Sequence, residues 1–389
     1  MIPYGKHHVD KDDIKAVLDL LKSKNLTQGP VVKLFENKIA KYVKSKYAVA
    51  VSSCTAGLHL SSIVVGLKKN KTLLTSPISF ASTANASLFC GGKVKFSDVD
   101  INSINISIEG IKRIIKKNKI HCISPVHFGG LPADMKSINK ISKQKKLFII
   151  EDSAHAFGAK YDNFNKVGSC KYSDLSVFSF HPVKSMTTGE GGCITTNNYK
   201  FYKRLINLRS HGIEKDKKEL INKSYAFEKN TYNSWYYEMQ ELGYHYRITD
   251  IQCALGISQF KKINKFLNKR RYLAERYDKA FSDLKNCTPL HYKQRKLSSN
   301  HLYVLRINFK KLGKGRQEII NFLKEKGITT QVHYIPIPLH PYYKFLNVKK
   351  NDIANSLEYY HSALSIPIFY DLTIKQQDYI IKVIKKFIS

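Results

Sequence analysis

The chain has 389 residues, 43% of them hydrophobic, with a formal net charge of +35, and a length beyond the roughly 250–300 residues at which one core stops growing predicts two domains. The lysines accompany Ile and Asn in every segment, and no helix-turn-helix, zinc-finger or aromatic-interleaved basic motif is present, which speaks against a nucleic-acid binder in spite of the charge. Seven cysteines without a CxxC pair, an N-terminus "MIPYGKHHVDKDD" without an apolar h-region, and no run near ~18 apolar residues speak against structural zinc, secretion and a membrane span, and predict a cytoplasmic protein.

From about residue 46 short apolar runs alternate with amphipathic stretches. "YAVAVSS" (47–53) reads as a buried strand turning into a helix at "CTAGLHLSSIVVGL". "TLLTSP" (72–77), "KVKFSDV" (93–99), "IHCISPV" (120–126) and "KLFIIED" (146–152) continue the strand series, with helical spacing between them as in "IEGIKRIIKKNK" (108–119). This pattern predicts right-handed βαβ units and a largely parallel sheet between helices. "SDLSVFSF" (173–180) and "GCITT" (192–196) follow without a long helix between them, which makes the sheet mixed. Beyond about residue 255 the texture changes: a long helix over 258–281, a strand at 301–309, a helix over 316–327, a strand "TTQVHY" at 329–334 and two C-terminal helices. The expected architecture is α/β, with a large domain over 1–255 and a smaller, tightly packed α+β domain over 256–389.

Parallel sheets present ligand groups at the carboxyl ends of strands. Asp152 closes "KLFIIED" and is followed by His155; alone, an Asp there reads as a helix cap. In "FSFHPVKSMTTGEGG" (178–192), Ser179 ends a strand five residues before Lys184, Pro182 stiffens the turn, and the glycines allow close backbone approach. A lone loop lysine is ordinarily solvated. "SSCTAGLHL" turns from strand to helix at Thr55 and Ala56, where free N–H groups favour an anion. Together these parts meet the needs of pyridoxal 5′-phosphate (PLP): an anion site and Ser179 for the phosphate, a carboxylate for the ring nitrogen, an amine for the aldehyde, and in Phe80 a flat face for the ring.

The stretches "LTQGP" (26–30), "SSCTAGLHL", "SPISFASTAN" (76–85), "HFGGLPADM" (127–135), "EDSAHAFGA", "SFHPVKSMTTGEGG", "LRSHGI" (208–213) and "ELGYHYRITDIQCALG" (241–256) occur in one order over nearly the whole chain. In this the chain resembles the sugar-nucleotide aminotransferases of the DegT/StrS family, which have the fold-type I architecture. The resemblance implies that Lys184 is the lysine that joins the cofactor aldehyde, Asp152 the partner of the ring nitrogen, His155 a contact on the ring's oxygen side, Phe80 the stacking residue, and Thr55, Ala56 and Ser179 the phosphate binders. It also implies substrate contacts at Tyr4, Thr27, Gln28, Gly29, Gln331, His333 and Tyr334, L-glutamate as amino donor, and a homodimer with shared sites. His245 stands where the family usually has an Asn that reaches the neighbouring subunit's phosphate. "YGKH", "TTGEGG" and "QVHYIPIPLHPYY" (331–343) resemble the branch that aminates C4 of a UDP-linked 4-keto-6-deoxy-N-acetylhexosamine on the route to pseudaminic acid. Bacillosamine-, perosamine- and 4-amino-arabinose-type keto-sugars are alternatives, and Lys184 speaks against the dehydratases that carry His at that place.

Overall fold

The computed structural model describes residues 1–291 and 294–388. Its larger sheet comprises Tyr47–Val51 (β1), Thr72–Thr75 (β2), Lys93–Phe96 (β3), Cys122–Ser124 (β4), Phe148–Asp152 (β5), Leu175–Ser179 (β6) and Gly192–Thr196 (β7), in the order β1-β7-β6-β5-β4-β2-β3. Every pairing is parallel except those of β7 with β1 and β6. The mixed sheet expected from the sequence is this one reversal: the chain passes from β6 to β7 without a helix and returns antiparallel beside it.

Helices Lys11–Leu21 (α1), Pro30–Val43 (α2), Cys54–Val64 (α3), Ser82–Phe89 (α4), Ile108–Lys117 (α5), Met135–Lys145 (α6) and Tyr199–Arg209 (α7) surround the sheet. Successive residues of β6 show how both faces are covered: Phe178 packs with Phe35, Ile39 and Phe180, while Val177 packs with Leu58, Leu60 and Leu205. An excursion follows, with short strands Ile213–Glu214 (β8), Phe227–Glu228 (β9), Thr231–Tyr232 (β10) and Glu238–Met239 (β11) and one turn of helix, Lys223–Ala226 (α8).

Asp250–Lys261 (α9) and Ile263–Phe281 (α10) replace the single helix read over 258–281. The chain leaves helical geometry at Lys262 (φ −102°, ψ 0°), whose Nζ bonds Asp10 Oδ1 at 2.6 Å and Asp13 Oδ2 at 2.8 Å. Residues 255 and 256, the boundary read from composition, lie within α9. The C-terminal part holds an antiparallel sheet of Cys287–Pro289 (β12), Tyr303–Ile307 (β13) and Ala363–Ile366 (β14), with helices Phe309–Leu312 (α11), Arg316–Glu325 (α12), Ala354–Ser362 (α13) and Ile374–Ile388 (α14). Tyr277 and Phe281 of α10 pack there with Tyr303, Leu323, Leu364 and Ile384. The strand expected at 329–334 is not formed: only Gln331 bridges, to Ser365, because the Tyr359 hydroxyl takes the His333 carbonyl at 2.6 Å and ends the ladder. No helix among the described residues is long and apolar enough to cross a membrane.

The two parts close on each other at the "HFGG" turn. Ser299 N–H donates to Gly130 O and His301 N–H to Gly129 O, both at 3.1 Å. Gly130 has φ +99°, and a Cβ there would lie 2.1 Å from Ser299 Oγ, so this approach requires glycine.

Candidate active site

Strand register brings the sequence's separate strand ends to one edge. Ser179 and Val51 both pair with Gly192, and Asp152 pairs with Val177, so the ends of β1, β5 and β6 and the start of β7 lie together. The start of α3 sits on this edge. A Cβ at Gly192 would lie 2.7 Å from Cys54 N, which is why the strand can pass so close to the helix end.

Lys184 follows in a loop folded on itself, with Lys184 N–H donating to His181 O and Thr188 N–H to Phe180 O, each at 3.0 Å. Lys184 is half-buried rather than exposed, and its amine has no hydrogen-bond or ion-pair partner among the described residues. Burial lowers its pKa to about 8; Cys54 and Asp152 pull it upward, and Arg270 lowers it further. Asp152 is buried beside it, accepting from Thr83 Oγ1 at 2.5 Å and from Ala154 N–H at 3.1 Å.

His155 completes a second layer. Its Nδ1 accepts from Gly129 N–H at 3.3 Å, so the neutral ring carries its proton on Nε2, 3.0 Å from the Tyr334 hydroxyl. His301 lies 4.5 Å from His155, ring to ring, with its Nδ1 buried and unpartnered, and His333 Nδ1 meets Ser365 Oγ at 2.8 Å. Burial first, then the Lys184 charge, holds all three imidazoles neutral: His155 and His301 fall well below the usual range and His333 to about 3.

The other predicted residues divide into two groups. Tyr4 joins the cluster: its ring is 5.5 Å from His333 and its N–H donates to Thr329 Oγ1 at 3.0 Å. Phe80 is at the rim, 64% exposed, with its ring 6.4 Å from that of Tyr334. Gln331 turns its side chain back to Val332 N–H at 2.9 Å. Thr27 and Gln28 are exposed on a separate loop, where Gly29 N–H donates to Asp250 Oδ2 at 2.7 Å, and exposed His245 stacks on His211 at 5.3 Å. Among the described residues no hydrogen bond or ion pair joins either group to Lys184. Ala56 N–H donates to the N-cap Ser53 Oγ at 3.1 Å and Ser179 Oγ accepts from His181 N–H at 3.4 Å, while Thr55 stands in the first turn of α3.

The residues present fit PLP. A half-buried amine, unpartnered among the described residues, serves the aldehyde, a carboxylate with two donors serves the ring nitrogen, an exposed aromatic face lies at the rim, and a helix start with a Thr and a Ser serves the phosphate. Sequence reading missed Thr83, His301, Cys54 and Arg270. Thr83 lay inside "SPISFASTAN", and its signal was a polar residue one helical turn after Phe80. Arg270 sits in a lysine-rich helix where nothing local sets it apart.

A family model described as the DegT/DnrJ/EryC1/StrS aminotransferase family matches residues 7–385. The UDP-4-amino-4,6-dideoxy-N-acetyl-beta-L-altrosamine transaminase of Campylobacter jejuni (serotype O:23/36, strain 81-176) is 37% identical over 382 residues, covering 98% of this chain and 96% of its own. Among solved structures, Helicobacter pylori PseC, an aminotransferase involved in the biosynthesis of pseudoaminic acid, matches with TM-score 0.90 at 32% identity, covering 100% of this chain and 99% of its own. Spr1654 from Streptococcus pneumoniae in its PLP-form matches with TM-score 0.89 at 25% identity, covering 100% and 98%. The chain belongs to the DegT/DnrJ/EryC1/StrS aminotransferase family.

Proposed function

We propose that this chain is a PLP-dependent transaminase that moves the amino group of L-glutamate to C4 of a UDP-linked 4-keto-6-deoxy-N-acetylhexosamine in pseudaminic acid biosynthesis. The observation that carries the reading is a half-buried Lys184 amine, unpartnered among the described residues and with its pKa lowered to about 8, at the same sheet edge as the buried Asp152 carboxylate. The likeness to the C. jejuni transaminase and to PseC supports the substrate.

When bound, PLP supplies the electron sink that makes the hydrogen on the amine-bearing carbon acidic. The chain's residues do the rest. Lys184 Nζ, about half neutral near pH 8, accepts that proton and returns it. Thr83 and the Ala154 amide fix Asp152 with its charge aimed along the sheet edge. Buried His155, through Nε2–H, and half-buried Tyr334 form one wall of the site. Tyr4, Gln331, His333 and Tyr334 are assigned to the sugar nucleotide.

Thr27, Gln28, Gly29 and His245 are assigned to a site completed by a second copy in a homodimer. Exposed Phe89, Trp235, Tyr237, Met239 and Leu242 support a large apolar contact. The seven free cysteines support a cytoplasmic location. In the test, purified protein is supplied with L-glutamate and a panel of UDP- and dTDP-linked 4-keto-sugars. The proposed substrate turns over fastest, and Lys184→Ala lowers the rate on the order of 10⁴-fold or more. Faster turnover of another keto-sugar rejects the substrate, and unchanged turnover by Lys184→Ala rejects the mechanism.

A further inference from the structure

Arg270 is 3% exposed, and its donors reach only backbone carbonyls: Nη1 to His301 O at 3.2 Å and Ile368 O at 2.9 Å, Nη2 to Val183 O at 3.4 Å. Among the described residues no carboxylate is a partner. Burying an uncancelled guanidinium is costly, and a structural tie between carbonyls does not require a charge. The Val183 contact places the guanidinium one residue from Lys184, and the two residues line the same small cavity with Met186 and Phe266.

The groups that face Lys184 come from every element around it. Asp152 ends β5, Cys54 begins α3, His155 follows β5, and His301 and His333 come from the C-terminal part. The imidazoles of His155, His301 and His333 are held neutral and Asp152 attracts a proton to the amine; Lys6, His7 and His8 also line the cavity, and among the described residues Arg270 is the cation that acts against the charge on the amine.

We propose that Arg270 is a positioning residue for Lys184: it ties the Lys184 loop to the C-terminal part through three carbonyls and supplies the buried positive charge that faces the ε-amine. The proposal rests on reading Lys184 as the reactive amine. Only an uncharged amine attacks an aldehyde or takes a proton, so removing the Arg270 charge moves both abilities to higher pH.

Cofactor capture tests this apart from turnover. Full-length protein freed of cofactor is mixed with PLP at a series of pH values, and the rate at which the bound cofactor's visible absorbance appears is measured. The wild-type rate climbs through a midpoint near 8. Arg270→Gln keeps N–H donors but no charge; its midpoint rises by about one pH unit, a roughly tenfold slowing at lower pH. Arg270→Lys keeps the charge and its midpoint stays within a few tenths of wild type. A wild-type midpoint in Arg270→Gln overturns the proposal. If Arg270→Gln does not fold, Arg270→Lys decides alone, and a shifted midpoint in it overturns the proposal. Lys184→Ala is run alongside: capture at the wild-type rate there rejects the reading of Lys184 itself, whatever the Arg270 variants do.

Discussion

The two sides of the Lys184 site are made in different ways. The carboxylate side consists of Asp152, Ser179 and the start of α3, all at or just after strand ends of one sheet, with Thr83 reaching Asp152 from the first turn of α4. The opposite side consists of His301, His333, Tyr334 and Arg270, and joins the first through contacts such as His155 to Tyr334, residues 179 apart in the chain. The first side is a property of topology: parallel strands deliver their ends to one edge whatever the loops do. The second depends on how the C-terminal part closes against the "HFGG" turn, and its electrostatics are those of neutral imidazoles and one uncancelled cation. Chemistry placed by topology is robust to sequence change, whereas chemistry placed by closure is exposed to pH.

Three changes separate the sides. The largest effect is expected from Asp152→Asn, which keeps the shape but not the charge: transamination falls roughly 10²–10³-fold with little change in thermal stability. A loss below tenfold would mean that the strand-end carboxylate is not part of the chemistry. Acid comes second, and acts on the closure. His291, which meets Ser103 O at 2.6 Å, and His333 are each lowered by burial to about 3, below the unfolded value near 6.5. The unfolded chain therefore binds more protons, and stability falls as pH drops from 6.5 toward 3. The two together contribute about 3 kcal/mol per pH unit between pH 6 and 4, on top of His155 and His301, read by denaturant unfolding at each pH, and His291→Gln lowers the slope by about 1.4 kcal/mol per pH unit. A slope unchanged in His291→Gln removes the closure argument. The smallest effect belongs to Thr83→Val, which leaves Asp152 Oδ2 without its donor and lowers kcat/KM about tenfold. Wild-type kcat/KM in this variant would make Thr83 a bystander.

The contrast also explains what could be read from the sequence. Lys184, Asp152 and His155 were legible because each stands next to a short apolar run, and a run marks a strand end. The reversal of β7 was legible for the same reason, as a missing helix. Arg270 was not, since its distinction is the three carbonyls that converge on it from segments far apart in the chain. The break at Lys262 was hidden, and the ion-pair partners of that residue, Asp10 and Asp13, lie at the other end of the sequence. Thr27, Gln28, Gly29 and His245 were identified by resemblance alone, and one chain gives them no contact with the amine.

The central claim is that Lys184 is the amine that holds the cofactor. The most direct measurement is borohydride reduction of the PLP-loaded protein, followed by proteolysis and peptide mass analysis. The account predicts the reduced cofactor's mass on the peptide carrying Lys184, and on no other. The mass on a different lysine, or on none, would contradict it.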